Sequence, residues 1–483
     1  MNIPVVTVGD SPEDLVGGLE RLHGPVTVVR RCAELPELLA ACQSGLALAA
    51  VIAEGAGGLT ATLVDRLAAV GVAVVVLTDD AEEARRLRGI GASVAGRSTG
   101  SAVLAGKIAE AVAARSGHRG LGARGQGARG HGAAGHGAAG QGARGHGATG
   151  HGATADGRLR GHGPGDTEGA EVPGRSRPGS DGATGGGFGP PEAAGRILAV
   201  WGPAGAPGRT MVAVNIAAEL AAAGESVLLI DADSYGASIA ASLGLLDESA
   251  GLAQACRLAD QGLLDAGSLH RVASDVVFNG GRMRVLTGLT RPDRWPEMRS
   301  AALGRVLEVC RETAQVTVID CGFCLESDEE LSYDTQAPRR NAATLTTLGW
   351  ADSIIAVGSA DTIGLPRLVR GLAELAAVIP GAAVPGAAPV VVLNKVRKAA
   401  AGRGPEKALR LAWDRFGPGM EIGHFLPWDP DSADKTLLAG QLLLESAPDS
   451  ALRHAVASIV CAPVQRKRRS AVTTSTANRL VSR

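Results

Sequence analysis

ILAVWGPAGAPGRTMVAVNIAAELAAAGESVLLIDAD, residues Ile197 to Asp233, is the stretch from which the rest of the chain is read. It opens on an apolar run, Ile197 to Trp201, short and unbroken enough for a strand buried on both faces. A Gly/Pro loop follows, Gly202 to Gly208, and then Arg209 and Thr210. Val212, Ile216, Ala217 and Leu220 next recur at helical spacing, and Gly224 stops that helix. A second apolar run, Val227 to Ile230, ends at Asp231 and Asp233. Strand, glycine loop, base, hydroxyl, helix, strand and acid make up a βαβ unit whose loop can turn backbone N–H groups onto phosphate oxygens.

In that chemistry Gly205 and Gly208 let the backbone approach, Arg209 reaches the terminal phosphates and Thr210 coordinates Mg²⁺. Asp320, ending the run Val316–Ile319, is placed to hold the metal through water, and Asp233 to orient an attacking water. A dinucleotide site is the competing reading, since Gly202, Gly205 and Gly208 are spaced G-x-x-G-x-x-G with acids about 25 residues on. That spacing falls short of G-x-G-x-x-G and leaves Arg209-Thr210 and Asp320 without a purpose.

Beyond this unit, further apolar runs end on polar residues: Ser353–Val357 near Ser359-Ala360-Asp361, Val390–Leu393 at Asn394-Lys395, and Phe425–Pro427 at Trp428-Asp429-Pro430-Asp431. Helical patterns over Leu303–Thr313, Asn341–Leu348, Leu365–Val378, Pro405–Phe416 and Ser450–Val460 separate them. The expected fold of residues 195–463 is therefore α/β, a mostly parallel sheet with helices on both faces and ligands at the carboxyl ends of its strands.

The chain has 483 residues, enough for two or three cores, and a net charge of −1, which excludes a global attraction to nucleic acid. Aromatic residues are only 2%, so the cores must be aliphatic. No apolar run approaches membrane-spanning length and no secretory signal is read, so the expected location is cytoplasmic, with peripheral membrane or nucleoid association as an extension. The seven cysteines are scattered. Cys321-Gly-Phe-Cys324 is a CxxC without a second pair at zinc spacing, and small buried thiols are the expectation.

Residues 1–115 read as five strand–helix units, with strands over Ile3–Val8, Val26–Val29, Ala47–Ala53, Val72–Leu77 and Ala92–Ala95. Helical patterns cover Pro12–Leu22, Leu35–Cys42, Leu59–Val70, Ala81–Leu87 and Ala102–Ala113. This segment resembles the receiver domain of two-component signalling, a flavodoxin-like fold, without its phosphorylation chemistry. Asp10 stands for the acidic pair and Thr78 for the hydroxyl. The third strand, however, ends Ala53-Glu54 instead of on an aspartate, and Arg97 stands near the lysine position. A docking or dimerisation module that needs no phosphorylation is expected, contacting a protein partner.

Residues 116–194 change composition abruptly. Seven pentads run in register from Leu121 to Ala155, and six of the ten histidines lie in this segment. With almost no large apolar residue it is expected to be a disordered linker. A metal-binding role for its histidines is the less economical alternative. The tail, 464–483, carries Arg466, Lys467, Arg468, Arg469, Arg479 and Arg483 and no acid, and is expected to be disordered, with weak attraction to anionic lipid or DNA.

Val200–Asn215, Leu229–Asp233 and Val318–Asp320 together resemble the MinD/ParA family of deviant Walker ATPases. The ending from Phe425 to Ile459 is similar to that family's, and the order of a receiver-like segment before the ATPase resembles CpaE-type proteins of Tad pilus assembly and localisation. The resemblance implies ATP and Mg²⁺ as ligands and an ATP-sandwich homodimer. Gly205, Ala206, Gly208, Arg209, Thr210 and Met211 would bind the phosphates, and Asn394 the adenine, with Pro427 and Asp429 bordering the base. Thr210 and Asp320 would serve the metal, and Asp233 with Arg209 catalysis. Two departures from the family pattern matter. Ala204 stands at its signature lysine and Arg209 at its Walker lysine, and the planar fork of arginine does not reproduce an ammonium. Pro207 also removes one loop N–H. The expectation is a slow P-loop ATPase acting as a positioning switch in pilus assembly, septum-site or partitioning-type localisation. A non-hydrolysing scaffold and a nonspecific DNA-binding partitioning ATPase are the alternatives.

Overall fold

The computed structural model describes residues 2–9, 15–22, 24–53, 56–122, 194–245, 249–327, 338–379 and 388–461. The expectations for Asp10, Glu54, most of the 116–194 segment and the tail 464–483 fall outside these residues.

Five short β-branched or alanine-rich runs form the first sheet: β1 Ile3–Val8, β2 Val26–Cys32, β3 Ala49–Ile52, β4 Ala73–Leu77 and β5 Ser93–Ala95. Their order is β2-β1-β3-β4-β5, all parallel. This is the flavodoxin-like order expected from the five strand–helix units. Every residue of β3 and β4 is buried, because helices cover both faces. Leu87 and Ile90 pack on one face with Val74 and Val76, while Leu104 and Ile108 pack on the other with Val75 and Leu77. The last helix runs Ser101–Gly122, past the predicted end at Ala113. Its glycines cost only about 1 kcal/mol each, and no proline breaks the hydrogen-bond ladder.

Eight strands form the second sheet: β6 Arg196–Trp201, β7 Val227–Ala232, β8 Ser274–Phe278, β9 Gly281–Leu286, β10 Val316–Cys321, β11 Ser353–Ser359, β12 Val390–Val396 and β13 Ile422–Pro427. The order is β13-β12-β11-β6-β10-β7-β9-β8, parallel except for β8 against β9. The β8–β9 hairpin has no counterpart in the strand pattern read above. Its signal is Asn279-Gly280 between two alternating runs, with Gly280 at φ +105° as a tight hairpin turn requires. Among the described residues no helix is long and apolar enough to cross a membrane.

Strand alternation decides which side chains face which layer. Ile197, Ala199 and Trp201 enter one core, and Leu198 and Val200 the other, against helix Arg209–Ala222. The same parity sends Val316 and Val318 of β10, and Val227 and Leu229 of β7, toward that helix. Asp320, Asp231 and Asp233 continue these rows past the apolar positions, so three acids emerge on the face where the helix begins. Asp320 is also the register partner of Asp231 and of Val200. From β6 the chain builds β7 and β9 on one side and β11 to β13 on the other. The carboxyl end of β6 is thus a crevice where a ligand can enter.

The two sheets' helices meet along a small seam. Asp260, ending helix Gly251–Asp260, accepts the Thr62 N–H at 2.8 Å and the Thr62 hydroxyl. Arg86 donates to the carbonyls of Gln261, Leu59 and Ala56 at 3.0, 3.0 and 2.9 Å.

Candidate functional site

The loop after β6 is held open by its glycines and closed from behind by β12. Gly205 and Gly208 have φ of +110° and +94°, and Ala206 between them has +50°. A side chain at Gly208 would place its Cβ 2.5 Å from Asn394 Nδ2. That amide donates to Pro207 O at 2.9 Å, while Asn394 Oδ1 accepts from Lys395 N at 2.7 Å. Lys395 has φ +62°, and its Nζ donates to Ala206 O at 2.8 Å. Among the described residues the N–H groups of Gly205, Ala206, Gly208, Arg209 and Thr210 reach no backbone acceptor. A curved loop of N–H groups at the start of a fourteen-residue helix is a cradle for anionic oxygens.

Thr210 and Asp320 meet at the mouth of this cradle, where Thr210 Oγ1 donates to Asp320 Oδ2 at 2.6 Å. Asp320 is 1% exposed, and its buried Oδ1 has no partner among the described residues. Burial, and then the charge of Asp231 beside it, push the Asp320 carboxyl well above the ordinary carboxylate range, against the opposing pull of Thr210 and Arg209. A divalent cation fits this donor set: a hydroxyl oxygen and a carboxylate with one unused oxygen are the hard ligands Mg²⁺ takes, directly or through water. Asp231 is better satisfied. Its Oδ2 accepts from Ser238 N and Ile239 N at 2.9 Å each, and its Oδ1 from Asp233 N at 3.2 Å. Burial raises the Asp231 carboxyl too, and these N–H groups oppose that shift. Asp231 shapes the turn that carries Asp233.

Arg209 is drawn inward. Its guanidinium donates to Gly202 O at 3.1 Å, to Pro203 O at 3.3 Å and to Asp233 Oδ2 at 3.2 Å. Its buried Nε has no partner among the described residues. Asp233 Oδ1 accepts from Tyr235 N at 2.8 Å and Gly236 N at 3.2 Å. The pair is largely desolvated, with side chains 12% and 10% exposed.

The structure therefore brings Gly205, Ala206, Gly208, Arg209, Thr210, Asp233 and Asp320 to one place. Met211 lies one residue deeper and packs on the helix-side core. Asn394 sits directly behind the loop, buried and already engaged as its brace. Pro427 ends β13, and Trp428 N donates to Val396 O at 3.0 Å, which brings this segment alongside Lys395. Asp429 caps the next helix through Ser432 N at 3.1 Å. The half-exposed Trp428 ring has Lys395 Nζ 5.7 Å and Arg397 Cζ 5.5 Å from its centroid.

No family model matches the chain, and no curated protein does. Among solved structures, it is similar to a ParA family ATPase from Chlorobium tepidum TLS, at 17% identity over 55% of this chain and 98% of that one, with a TM-score of 0.43. It is similar to the septum site-determining protein MinD with Mg-ADP from Pyrococcus horikoshii OT3, at 18% identity over 57% and 99%, with a TM-score of 0.42. A third, a complex of a Cyanothece McdA variant with ATP, has 16% identity over 55% and 96%, with a TM-score of 0.41.

Four residues of the site carried no role in the sequence reading: Asp231, Lys395, Ser238 and Arg367. Asp231 and Lys395 had a visible signal, each standing at the end of a strand beside a residue singled out. Ser238, whose Oγ is 3.4 Å from Thr210 Oγ1, had none beyond a polar loop. Arg367 lies in an amphipathic helix where an exposed arginine is ordinary. Cys321 is buried at the end of β10, and burial raises its thiol well above the ordinary range.

Proposed function

We propose that this chain is an ATP- and Mg²⁺-binding switch of the MinD/ParA kind, dimerising with nucleotide and hydrolysing it slowly or not at all. The observation that carries the reading is the Thr210–Asp320 pair, at the mouth of a loop whose N–H groups, like Asp320 Oδ1, find no partner among the described residues. Thr210 and Asp320 would hold Mg²⁺, which when bound supplies charge neutralisation at the phosphate oxygens. The loop N–H groups bind and orient the phosphates, and Asp233 is the carboxylate placed to position a water.

Slow turnover follows from Arg209. Its guanidinium is shared among two loop carbonyls and Asp233, so both candidate catalytic side chains hold each other. Loss of preorganised charge at a developing transition state costs about 3–4 kcal/mol, or 10²–10³ in rate. The same pair favours the second reading, a scaffold that binds nucleotide without hydrolysing it. A role in positioning, of pili or of another cargo, rests on the resemblance to CpaE-type domain order, with the receiver-like segment as the partner-binding module.

Titration of a fluorescent ATP analogue into the full chain, with and without Mg²⁺, tests the reading. Saturable, Mg²⁺-enhanced binding is expected; no binding would remove every nucleotide-dependent role. Phosphate release by wild type and Asp233→Ala separates slow enzyme from scaffold, equal background rates pointing to the scaffold.

A further inference from the structure

With Arg209 turned inward, the outer edge of the loop, Pro203 to Ala206, receives its positive charge from elsewhere. Lys395 reaches it from β12, as described. The second cation is Arg367, in the first turn of helix Gly364–Val378, which follows β11. Its guanidinium lies so near the loop that a Cβ on Gly205 would be 2.5 Å from Arg367 Nη1. Gly205 is thus required twice, by its φ of +110° and by this approach. Arg367 is exposed, and among the described residues its guanidinium has no hydrogen-bond or ion-pair partner. It lines two cavities beside the loop, of about 200 and 240 Å³, the first shared with Pro203, Gly205, Ser359 and Asp361.

Glu326 and Glu374 line the second cavity with Arg367 and Asp361 the first, and none of the three forms an ion pair with it; of these, Asp361 is the one beside the loop. Its carboxylate instead accepts the Ser359 hydroxyl at 2.5 Å, Ile363 N at 3.0 Å and Gly364 N at 2.7 Å. These bonds fix the turn from β11 into the helix and, among the described residues, leave the guanidinium beside the loop unpaired. An arginine fork held over exposed N–H groups is suited to bidentate contact with phosphate.

We infer that Arg367 is a phosphate-binding residue of this site, supplied by the same chain, and that it recognises the polyphosphate rather than the nucleoside. The inference rests on the nucleotide-binding reading above. Arg367→Gln should weaken binding of a fluorescent ATP analogue by about tenfold or more, the size of a lost charged hydrogen bond, and leave displacement by AMP or adenosine unchanged. Arg367→Lys should recover part of the loss. Because the side chain is exposed, thermal unfolding of both variants should match wild type. ATP affinity within twofold of wild type in Arg367→Gln, or an equal loss for ATP and AMP, would overturn the inference while leaving the nucleotide site standing. A wild-type chain that binds no nucleotide would remove both.

Discussion

The two parallel sheets end differently at the same architectural position. Both carry polar groups at the carboxyl ends of their strands, and in the five-stranded sheet those among the described residues, Thr78, Asp79, Asp80 and Arg97, satisfy one another. Arg97 donates through Nη2 to Ala53 O at 3.2 Å, and Arg97 N donates to Asp79 Oδ1 at 2.9 Å. Asp80 N donates to Thr78 Oγ1 at 3.2 Å, and Asp80 caps the following helix through Glu82 N at 2.9 Å. In the eight-stranded sheet Asp320 Oδ1, Arg209 Nε and the loop N–H groups are left without partners among the described residues. A fold of this class offers a binding crevice wherever its strands end. Whether it binds depends on whether those groups remain unsatisfied until a ligand arrives.

Three substitutions can break or sharpen that contrast. The largest effect is expected from Arg209→Lys, which replaces the shared fork by a point charge and releases Asp233. Steady-state phosphate release should rise by about 10²-fold, the scale of one restored transition-state contact. An unchanged rate in a variant that binds nucleotide would show that another group limits turnover. Next, Asp320→Asn removes a carboxyl whose charged form burial penalises. It should stabilise the unliganded chain by about 1–3 kcal/mol in thermal or denaturant unfolding while abolishing the Mg²⁺ enhancement of nucleotide binding. Destabilisation would mean that the charge is already compensated. The smallest effect belongs to the other sheet. Arg97→Ala should cost about 1 kcal/mol of stability, one hydrogen bond's worth, with nucleotide affinity unchanged. A large loss of affinity there would tie the two sheets' functions together.

Much of this was legible in order along the chain. Apolar runs separated by amphipathic helices specify parallel sheets, because a strand covered on both faces must be apolar at every position. The β8–β9 hairpin was also written locally, in Asn279-Gly280, but its alternating runs are short and half-exposed, and they carry little apolar signal. Within the site, Gly205, Gly208, Arg209, Thr210 and Asp320 could be picked from spacing because loop geometry and strand ends are local properties. Asp231 was visible as a second acid ending the same apolar run, but only Asp233 was assigned a role. Their hydrogen bonds separate them, one to the turn and one to Arg209.

The sequence by itself thus determined the layers, the loop and the chemical types gathered at it, because periodicity and backbone requirements act over a few residues. Tertiary structure alone decided which of those groups are free. Arg209 faces inward because Gly202 O, Pro203 O and Asp233, up to 24 residues away, surround it. Arg367 reaches Gly205 only because β11 lies beside β6, a pairing of strands more than 150 residues apart that no local pattern encodes.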